Sequence, residues 1–335
     1  MKILNNVLFF IFLFFLYNLN VFQTFSQDSV SKNTIPKIVE TKSLEADIAP
    51  ENKQKSFPWW VWIILLFVVC FFIGIIAVLG GVGGGVLFVP IVGSFFPFHM
   101  DFVRTTGLLL AMSGALSSVP SLFRRGISNI RASILFAFVA SVASIAGAIV
   151  GILIPENIVQ LLLGIIIFCI FLIMFFTKSS DYPQVKKTDK LAQIFEINGC
   201  YFDESIGKEV IWKAHNTLIS IFIFLIIGFI GGMFGLGAGW ANVPVLNIIA
   251  GFPLKVSVAT SSFILLTSSS TAAWIYINKG ALLPIIAVPS IIGVMLGAKL
   301  GVELLKKVKS QNIRKIVMIL LLIACVRALL KAFFI

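Results

Sequence analysis

The chain contains the same glycine-rich segment twice, each time within apolar sequence. Gly81-Val82-Gly83-Gly84-Gly85 precedes Val89-Pro90, and Gly235-Leu236-Gly237-Ala238-Gly239 precedes Val243-Pro244. Gly235 follows Gly81 by 154 residues, and the same offset aligns further residues without a gap, among them Ile73, Gly74, Phe98, Thr106 and Gly126 with Ile227, Gly228, Phe252, Thr260 and Gly280. Two copies of a unit that interrupts an apolar helix are typical of duplicated transporters, in which the broken helices meet at a central site.

The composition indicates an integral membrane protein. Of 335 residues, 59% are hydrophobic and 12% are charged, whereas a soluble domain carries about 25% charged residues. The net charge of +12 does not indicate a nucleic-acid partner, because the basic residues lie mostly in short loops between apolar spans, as on the cytoplasmic side of membrane proteins. The four cysteines have no CxxC spacing and the two histidines are far apart, so no metal or other cofactor is expected.

The first 57 residues differ from the rest of the chain. Residues 1–26 have the pattern of a signal peptide, with Lys2, an apolar run from Val7 to Leu16 and a weak cleavage site at Thr24-Phe25-Ser26. The alternative is an uncleaved anchor helix. Residues 27–57 are polar and rich in lysine, which predicts an extramembrane leader.

The remaining sequence predicts an all-α polytopic protein of the cell membrane, with two homologous repeats of four to five membrane segments. Repeat 1 covers 58–177 and repeat 2 covers 215–335, with a cytoplasmic linker at 178–214. Spans of about 20 apolar residues suit the bilayer core, and they are predicted at 58–79, 102–123, 131–153, 157–177, 215–233, 255–277, 282–304 and 312–333. Shorter apolar stretches after the glycine segments predict half-helices or re-entrant arms at Val86–Phe96 and Trp240–Ala250.

Loop charge favours five crossings in each repeat rather than four. An odd number inverts the second repeat relative to the first, and a leader outside the cell then places three basic segments in the cytoplasm: 124–131, the linker, and 306–315. With four crossings per repeat, no orientation places all three basic segments in the cytoplasm. The positive-inside rule therefore predicts an inverted repeat, with Arg104, Lys279 and Lys331 among the few basic residues left outside.

The glycine segments are candidates for a binding site. Glycine adopts positive φ, and consecutive free N–H groups form a concave donor site that suits an anion. Half-helices beginning at Val86 and Trp240 would add the partial positive charge of their N-termini, with Pro90 and Pro244 near the first turn. The alternative is close helix packing, for which small residues serve routinely. The candidate residues are Gly81, Gly83, Gly84, Gly85, Gly235, Gly237 and Gly239.

Polar side chains within the spans extend this candidate site. Thr106, Thr260 and Ser261 carry hydroxyls that could bond an oxyanion or a carbonyl one turn back. Asn242 lies in the second apolar arm, where an unpaired amide would be costly. Two cations are candidate charge partners for the anion: Lys255 at the mouth of a span, and Lys299 within one, which could instead snorkel or pair with Glu303.

The motifs resemble the sulfite exporter TauE/SafE family over residues 58–335. The resemblance rests on Gly81–Gly85 with Pro90, on Gly228 to Pro244, on Gly251-Phe252-Pro253-Leu254-Lys255 with Ala259-Thr260-Ser261, and on Asn198–Asp203 in the linker. It implies a transporter of small anions such as sulfite, sulfonates and related organosulfur compounds. Ala238 departs from the family pattern, which has a third glycine there.

The resulting hypothesis is a transporter that moves a small anion by alternating access between the two glycine segments, with a proton or ion as a candidate for coupling. The alternatives are a passive anion channel and a non-transporting scaffold whose partners bind the leader and the linker. An enzyme is not expected, because metal clusters and paired intramembrane carboxylates are absent from the sequence pattern; Asp101 and Glu156 lie near span ends, where solvation is expected. The sequence leaves a homo-oligomer open.

Overall fold

The computed structural model describes residues 59–80, 83–96, 98–124, 129–176, 182–183, 185, 188–203, 207–305 and 310–334. The predicted signal peptide 1–26, the leader 27–57 and Gly81 lie outside these residues.

The protein is an all-α polytopic membrane protein, as predicted. The first half comprises α1 (Trp59–Gly80), α2 (Gly84–Phe95), α3 (Met100–Arg124), α4 (Ile130–Leu153) and α5 (Glu156–Phe176). The second half comprises α7 (Thr217–Phe234), α8 (Gly239–Pro244) continued by a π-helical turn (Val245–Ile249), α9 (Leu254–Asn278), α10 (Pro284–Leu305) and α11 (Ser310–Phe334). Of the helices within the described ranges, α4, α5, α7, α9 and α10 are long and apolar enough to span a membrane.

The linker contains structure that the sequence analysis did not predict. A short helix, α6 (Lys190–Ile194), precedes two antiparallel strands, β1 (Asn198–Asp203) and β2 (Lys208–Lys213), in which Asn198 pairs with Lys213. The Arg131 guanidinium forms an ion pair with Glu196, and the Asn129 side chain donates a hydrogen bond of 2.7 Å to the Asn198 carbonyl. The linker and the start of α4, with Arg131, therefore lie at the same end of the helices, in keeping with the charge argument.

The half-helices begin earlier than predicted. Their first residues are Gly84 and Gly239 rather than Val86 and Trp240, because Gly83 supplies the break with φ of 84° and the glycines after it accept helical geometry. Pro90 is consequently beyond the first turn of α2. Pro244 stands where α8 becomes the π-helical turn, as expected where a missing N–H disturbs the hydrogen-bond ladder.

The two halves exchange partners. The first helix of each half packs along the fourth helix of the other, so that α1 lies on α10 and α4 lies on α7, while α3 also packs on α9 and α5 on α11. Related pairs of this kind are what two repeats around a twofold axis would form. The repeat relation and its inversion remain predictions from the sequence.

Glycines allow these exchanged pairs to approach at the backbone. A Cβ at Gly293 of α10 would lie 2.6 Å from the Phe67 carbonyl oxygen, and one at Gly151 of α4 would lie 2.6 Å from that of Met233. Each of these glycines has another glycine four residues away, Gly297 and Gly147, which is the small-residue spacing of close membrane helix pairs. At these interfaces the glycines serve packing.

Replacing Gly293 with alanine should destabilise the α1–α10 pair, because the new methyl group overlaps the Phe67 carbonyl and overpacking typically costs about 1–3 kcal/mol. The measurement is thermal unfolding of the purified protein in detergent. Gly114→Ala is the matched control, since a Cβ at Gly114 of α3 has nothing within 4 Å. An unfolding temperature for Gly293→Ala equal to or above that of the control would contradict the packing account.

Candidate functional site

The two glycine segments meet in the interior of the protein. A Cβ at Gly85 would lie 2.6 Å from the Gly107 carbonyl oxygen and 2.7 Å from that of Leu236. A Cβ at Gly235 would lie 2.5 Å from the Arg104 carbonyl oxygen. We call residues 83–85, 107 and 235–237 the glycine junction. A side chain at Gly85 would push the two glycine segments apart, and one at Gly235 would push the second segment away from α3.

Three junction glycines also have a backbone conformation that other residues rarely adopt. The φ angles of Gly83, Gly235 and Gly237 are 84°, 69° and 68°, in the left-handed region that costs an L-residue about 1–2 kcal/mol. Gly235 ends α7 in this conformation, the usual way for glycine to stop a helix. Gly235 and Gly237 lie where the chain turns from α7 into α8, and it then runs back beside α7, since the His215 N–H donates to the Ala250 carbonyl at 3.1 Å.

Helix α9 covers the junction with one apolar and one polar side chain. Leu265 reaches both breaks: its methyl carbons lie 3.7 Å from a Cβ built at Gly83 and 2.9 Å from one built at Gly237. The Ser269 hydroxyl, one turn further along α9, lies 3.5 Å from the same Gly237 position. The junction is thus buried beneath α9, with a hydroxyl beside the second break.

Four buried polar side chains on α8 and α9 lack a hydrogen-bond partner within the described part of the chain. They are the indole nitrogen of Trp240, both amide atoms of Asn242, and the hydroxyls of Thr260 and Ser269. Asn242 and Thr260 are 0% exposed. A buried unsatisfied polar group costs about 1–3 kcal/mol, so such a set in one region calls for an explanation other than stability.

These side chains are distributed along two packed helices rather than gathered in a single cluster. Trp240 and Asn242 lie on α8, directly after the second break, and Thr260 and Ser269 lie on α9, which packs against α8. At 1.5 Å rise per residue, Thr260 lies about 14 Å along α9 from Ser269, towards the linker end where α9 begins. Nine residues make about two and a half turns, so Thr260 and Ser269 lie on opposite faces of α9. We call these four residues the polar row, after their order along α8 and α9.

The other predicted site residues do not belong to the polar row. Gly84, Gly85 and Gly239 lie in the first turns of α2 and α8. Thr106 donates its hydroxyl hydrogen to the Phe102 carbonyl at 2.8 Å, the bond one turn back that the sequence left open. Ser261, 4% exposed, lies one helical turn before Leu265 on α9. Lys255 and Lys299 are exposed, so the structure does not bring them to the junction.

Arg104 is the residue that sequence reasoning most clearly missed. It is 1% exposed, and its Nη1 atom donates to the Gly151 carbonyl at 2.7 Å and to the Tyr276 hydroxyl at 3.3 Å. Tyr276 in turn donates to the Met233 carbonyl at 2.9 Å. These carbonyls belong to the last turns of α4 and α7, which lack helical partners. An ionisable residue near the start of an apolar span was the available signal.

Arg327 has a similar role at the end of α2. Its Nε atom donates to the Ser94 carbonyl at 3.2 Å, and its guanidinium lies 4.0 Å above the Phe95 ring. The buried carbonyl end of this half-helix is therefore paired with a cation, which the helix dipole favours. Within the described residues, no three His, Cys, Asp or Glu side chains are grouped so that they could hold a metal ion.

A multi-pass helical membrane protein with two broken helices meeting at a buried polar row has the architecture of a membrane transporter. The chain belongs to the sulfite exporter TauE/SafE family, whose model matches residues 66–328. It is a membrane transporter of that family and a multi-pass protein of the cell membrane.

Two relatives support this assignment. The chain is 27% identical over 270 residues to the probable membrane transporter protein YunE of Bacillus subtilis, covering 78% of this chain and 96% of that protein. It is 28% identical over 278 residues to the probable membrane transporter protein MJ0441 of Methanocaldococcus jannaschii, covering 77% and 92%. No solved structure matches the chain.

Gly237→Ala should lower the transport rate about tenfold or more, because a methyl group there overlaps Ala111 and Leu265, each 2.9 Å away. A rise of about 1.4 kcal/mol in the free-energy barrier to transport lowers the rate tenfold. The measurement is the initial rate of anion uptake into proteoliposomes. Gly280→Ala is the matched control, since Gly280 has φ of 74° but no atom within 4 Å of its Cβ position. Equal losses in the two variants would mean that backbone strain alone, and not crowding of the junction, is responsible.

Proposed function

We propose that this protein transports a small anion, of the sulfite or sulfonate type, by alternating access through the glycine junction and the polar row. The observation that supports this proposal most is the set of four buried polar side chains that have no hydrogen-bond partner among the described residues: Trp240, Asn242, Thr260 and Ser269. Three kinds of donor are present in it, namely an indole N–H, an amide NH₂ and two hydroxyls. An oxyanion that accepts hydrogen bonds from part of this set at a time would offset part of the cost of burial.

The charge around the row also favours an anion. The four side chains are neutral, and α2 starts at the junction, so that the unpaired N–H groups of its first turn contribute partial positive charge there. Neutral donors hold an anion without the strong attraction of a buried lysine. Such moderate binding suits transport, since a substrate must also leave.

The closed state of the row favours a transporter over a passive channel. Each unsatisfied atom of the row is inaccessible to solvent, so no continuous aqueous pore passes it in this conformation. A substrate therefore needs a conformational change to enter and another to leave. Alternating access provides both, and a proton or ion gradient could be coupled to either step.

The exchanged helix pairs limit which parts can move. Close backbone contacts tie α1 to α10 and α4 to α7, so a repeat cannot rock as an intact block without breaking them. We therefore expect each moving unit to contain helices of both halves. The glycine junction, where the units meet, is then the hinge and the substrate path at once.

The substrate class comes from the family description, sulfite exporter, together with the donor chemistry of the row. The substrate class is tested by rapid addition of single anions to proteoliposomes, with transient currents and tracer uptake as readouts. The anions are sulfite, sulfate, thiosulfate, sulfoacetate, taurine and chloride. A saturable signal for a sulfur oxyanion that responds to an imposed proton or ion gradient is expected. Large unsaturable currents would favour the channel, and no flux of any tested anion would contradict the proposal.

Thr260→Val should lower the transport efficiency by about 10- to 100-fold, because a hydrogen bond to a charged group contributes about 1.5–3 kcal/mol. The same variant should keep or raise the thermal stability, since it removes an unsatisfied buried hydroxyl without changing the side-chain shape much. Transport and unfolding temperature are measured on the same preparation.

Thr106→Val is the matched comparison, because Thr106 occupies the corresponding position in the first half and its hydroxyl is already bonded to Phe102. A smaller loss of transport is expected for it. If Thr260→Val transports normally, or if it loses transport only in proportion to lost stability, Thr260 does not bind the substrate.

A further inference from the structure

We propose a second oxyanion site at Arg104, in a cavity at the end of the protein away from the linker, where the Asp101 carboxylate occupies the place of the anion in this conformation. The proposal rests on the proposed function and deepens it, because the site would bind the same anion at the end of its path away from the linker. Its evidence is the geometry of one guanidinium and the cavity beside it.

The position of the site follows from α3. Arg104 lies in the first turns of this helix, whose other end leads to Asn129 and Arg131 beside the linker. A helix of this length is about 37 Å long. Arg104 and the linker are therefore at opposite ends of the membrane part, and the positive-inside prediction places Arg104 at the outer end.

One edge of the guanidinium is fixed by the protein. The Nη1 atom donates to the Gly151 carbonyl at 2.7 Å and lies 3.3 Å from the Tyr276 hydroxyl and 3.4 Å from the Met233 carbonyl. The Tyr276 ring also lies 5.9 Å below the guanidinium carbon. Because these contacts anchor Nη1 to the ends of two helices, the guanidinium is held in one orientation.

The other edge is only half occupied. A guanidinium presents Nε and Nη2 side by side, and this pair of donors matches two oxygens of a carboxylate, sulfonate or phosphate. Nη2 lies 3.3 Å from one Asp101 oxygen, whereas Nε is buried and has no hydrogen-bond partner within the described residues. A bidentate oxyanion would satisfy both donors, and Asp101 satisfies one.

The cavity offers room for such an anion and for the movement of Asp101. Its volume is about 350 Å³, and His99, Asp101, Arg104 and Glu156 contribute its polar lining. The Arg104 side chain is 2% exposed, whereas those of Asp101 and Glu156 are 26% and 31% exposed. The cation therefore lies at the floor and the carboxylates lie at the rim, so Asp101 can turn towards water when an anion replaces it.

The site adjoins the glycine junction. The backbone of Arg104 touches Gly235, whose Cβ position is 2.5 Å from the Arg104 carbonyl oxygen. An anion bound at the guanidinium would thus be next to the second break of the helix. Asp101 competes for the guanidinium when the site is empty, which neutralises a buried charge that would otherwise be costly.

The surrounding charges define the control for a test. His99 lies between the two rim carboxylates, with Nδ1 3.5 Å from Asp101 and Nε2 3.5 Å from Glu156. Glu156 therefore carries the same charge in the same cavity as Asp101, but it pairs with His99 and not with Arg104. Removing either carboxylate changes the cavity charge equally, and only removal of Asp101 frees the guanidinium.

The experiment measures equilibrium binding of sulfite, methanesulfonate and chloride to the full chain in nanodiscs at a fixed pH. Asp101→Asn should tighten sulfite and methanesulfonate binding by about tenfold, a change of about 1.4 kcal/mol, and should tighten chloride binding less, because a single ion cannot use both donors. Glu156→Gln should tighten binding by less than about threefold. Adding Arg104→Lys to Asp101→Asn should abolish the gain for the two sulfur anions, because lysine keeps the charge and lacks the paired donors.

Equal gains for Asp101→Asn and Glu156→Gln would overturn the proposal, since they would reflect cavity charge alone, and so would unchanged or weaker binding by Asp101→Asn. These two variants leave Arg104 intact, so the test does not depend on whether the lysine variant folds. Thr260→Val, measured in parallel, separates the two proposals. Normal transport by Thr260→Val together with tighter binding by Asp101→Asn would support the Arg104 site and contradict the polar row. Impaired transport by Thr260→Val together with unchanged binding by Asp101→Asn would support the polar row and contradict the Arg104 site.

Discussion

The structure depends on one constraint: a helix that breaks inside a membrane exposes backbone N–H and C=O groups that neither lipid nor water can satisfy there. Two helices are broken in this protein, and the free C=O groups have different surroundings from the free N–H groups. Arg104, Tyr276 and Arg327 donate to carbonyls at the ends of α4, α7 and α2. The donors at the start of α2 instead face a junction of glycines, where the backbone of the other half lies close.

The two halves contribute different chemical groups to the candidate site. Position by position, the polar row of the second half corresponds to apolar residues of the first: Trp240 to Val86, Asn242 to Phe88 and Ser269 to Ala115. Thr260 corresponds to Thr106, whose hydroxyl is bonded within its own helix. The first half therefore contributes mainly close packing and a helix N-terminus, while the second contributes side-chain donors.

The sequence predicted the membrane helices well, because a span needs a long apolar run and such runs are visible without a structure. The two glycine segments likewise predicted the breaks. The starts at Gly84 and Gly239 were missed because glycine is tolerated both in a break and in a first turn, and only packing decides between them. Arg104 was missed because its partners, Gly151, Met233 and Tyr276, are far away in sequence, and the linker strands were missed because their six-residue runs have no clear alternation.

The central claim is that an oxyanion contacts the polar row next to the glycine junction. The most direct measurement is a crystal structure of the protein with selenite, the heavier analogue of sulfite, in which the anomalous scattering of selenium locates the anion. The account predicts a selenium peak within hydrogen-bond distance of the Asn242 or Thr260 side chain. Anomalous maps from selenite-soaked crystals without a peak along the row between Ser269 and Thr260 would contradict it.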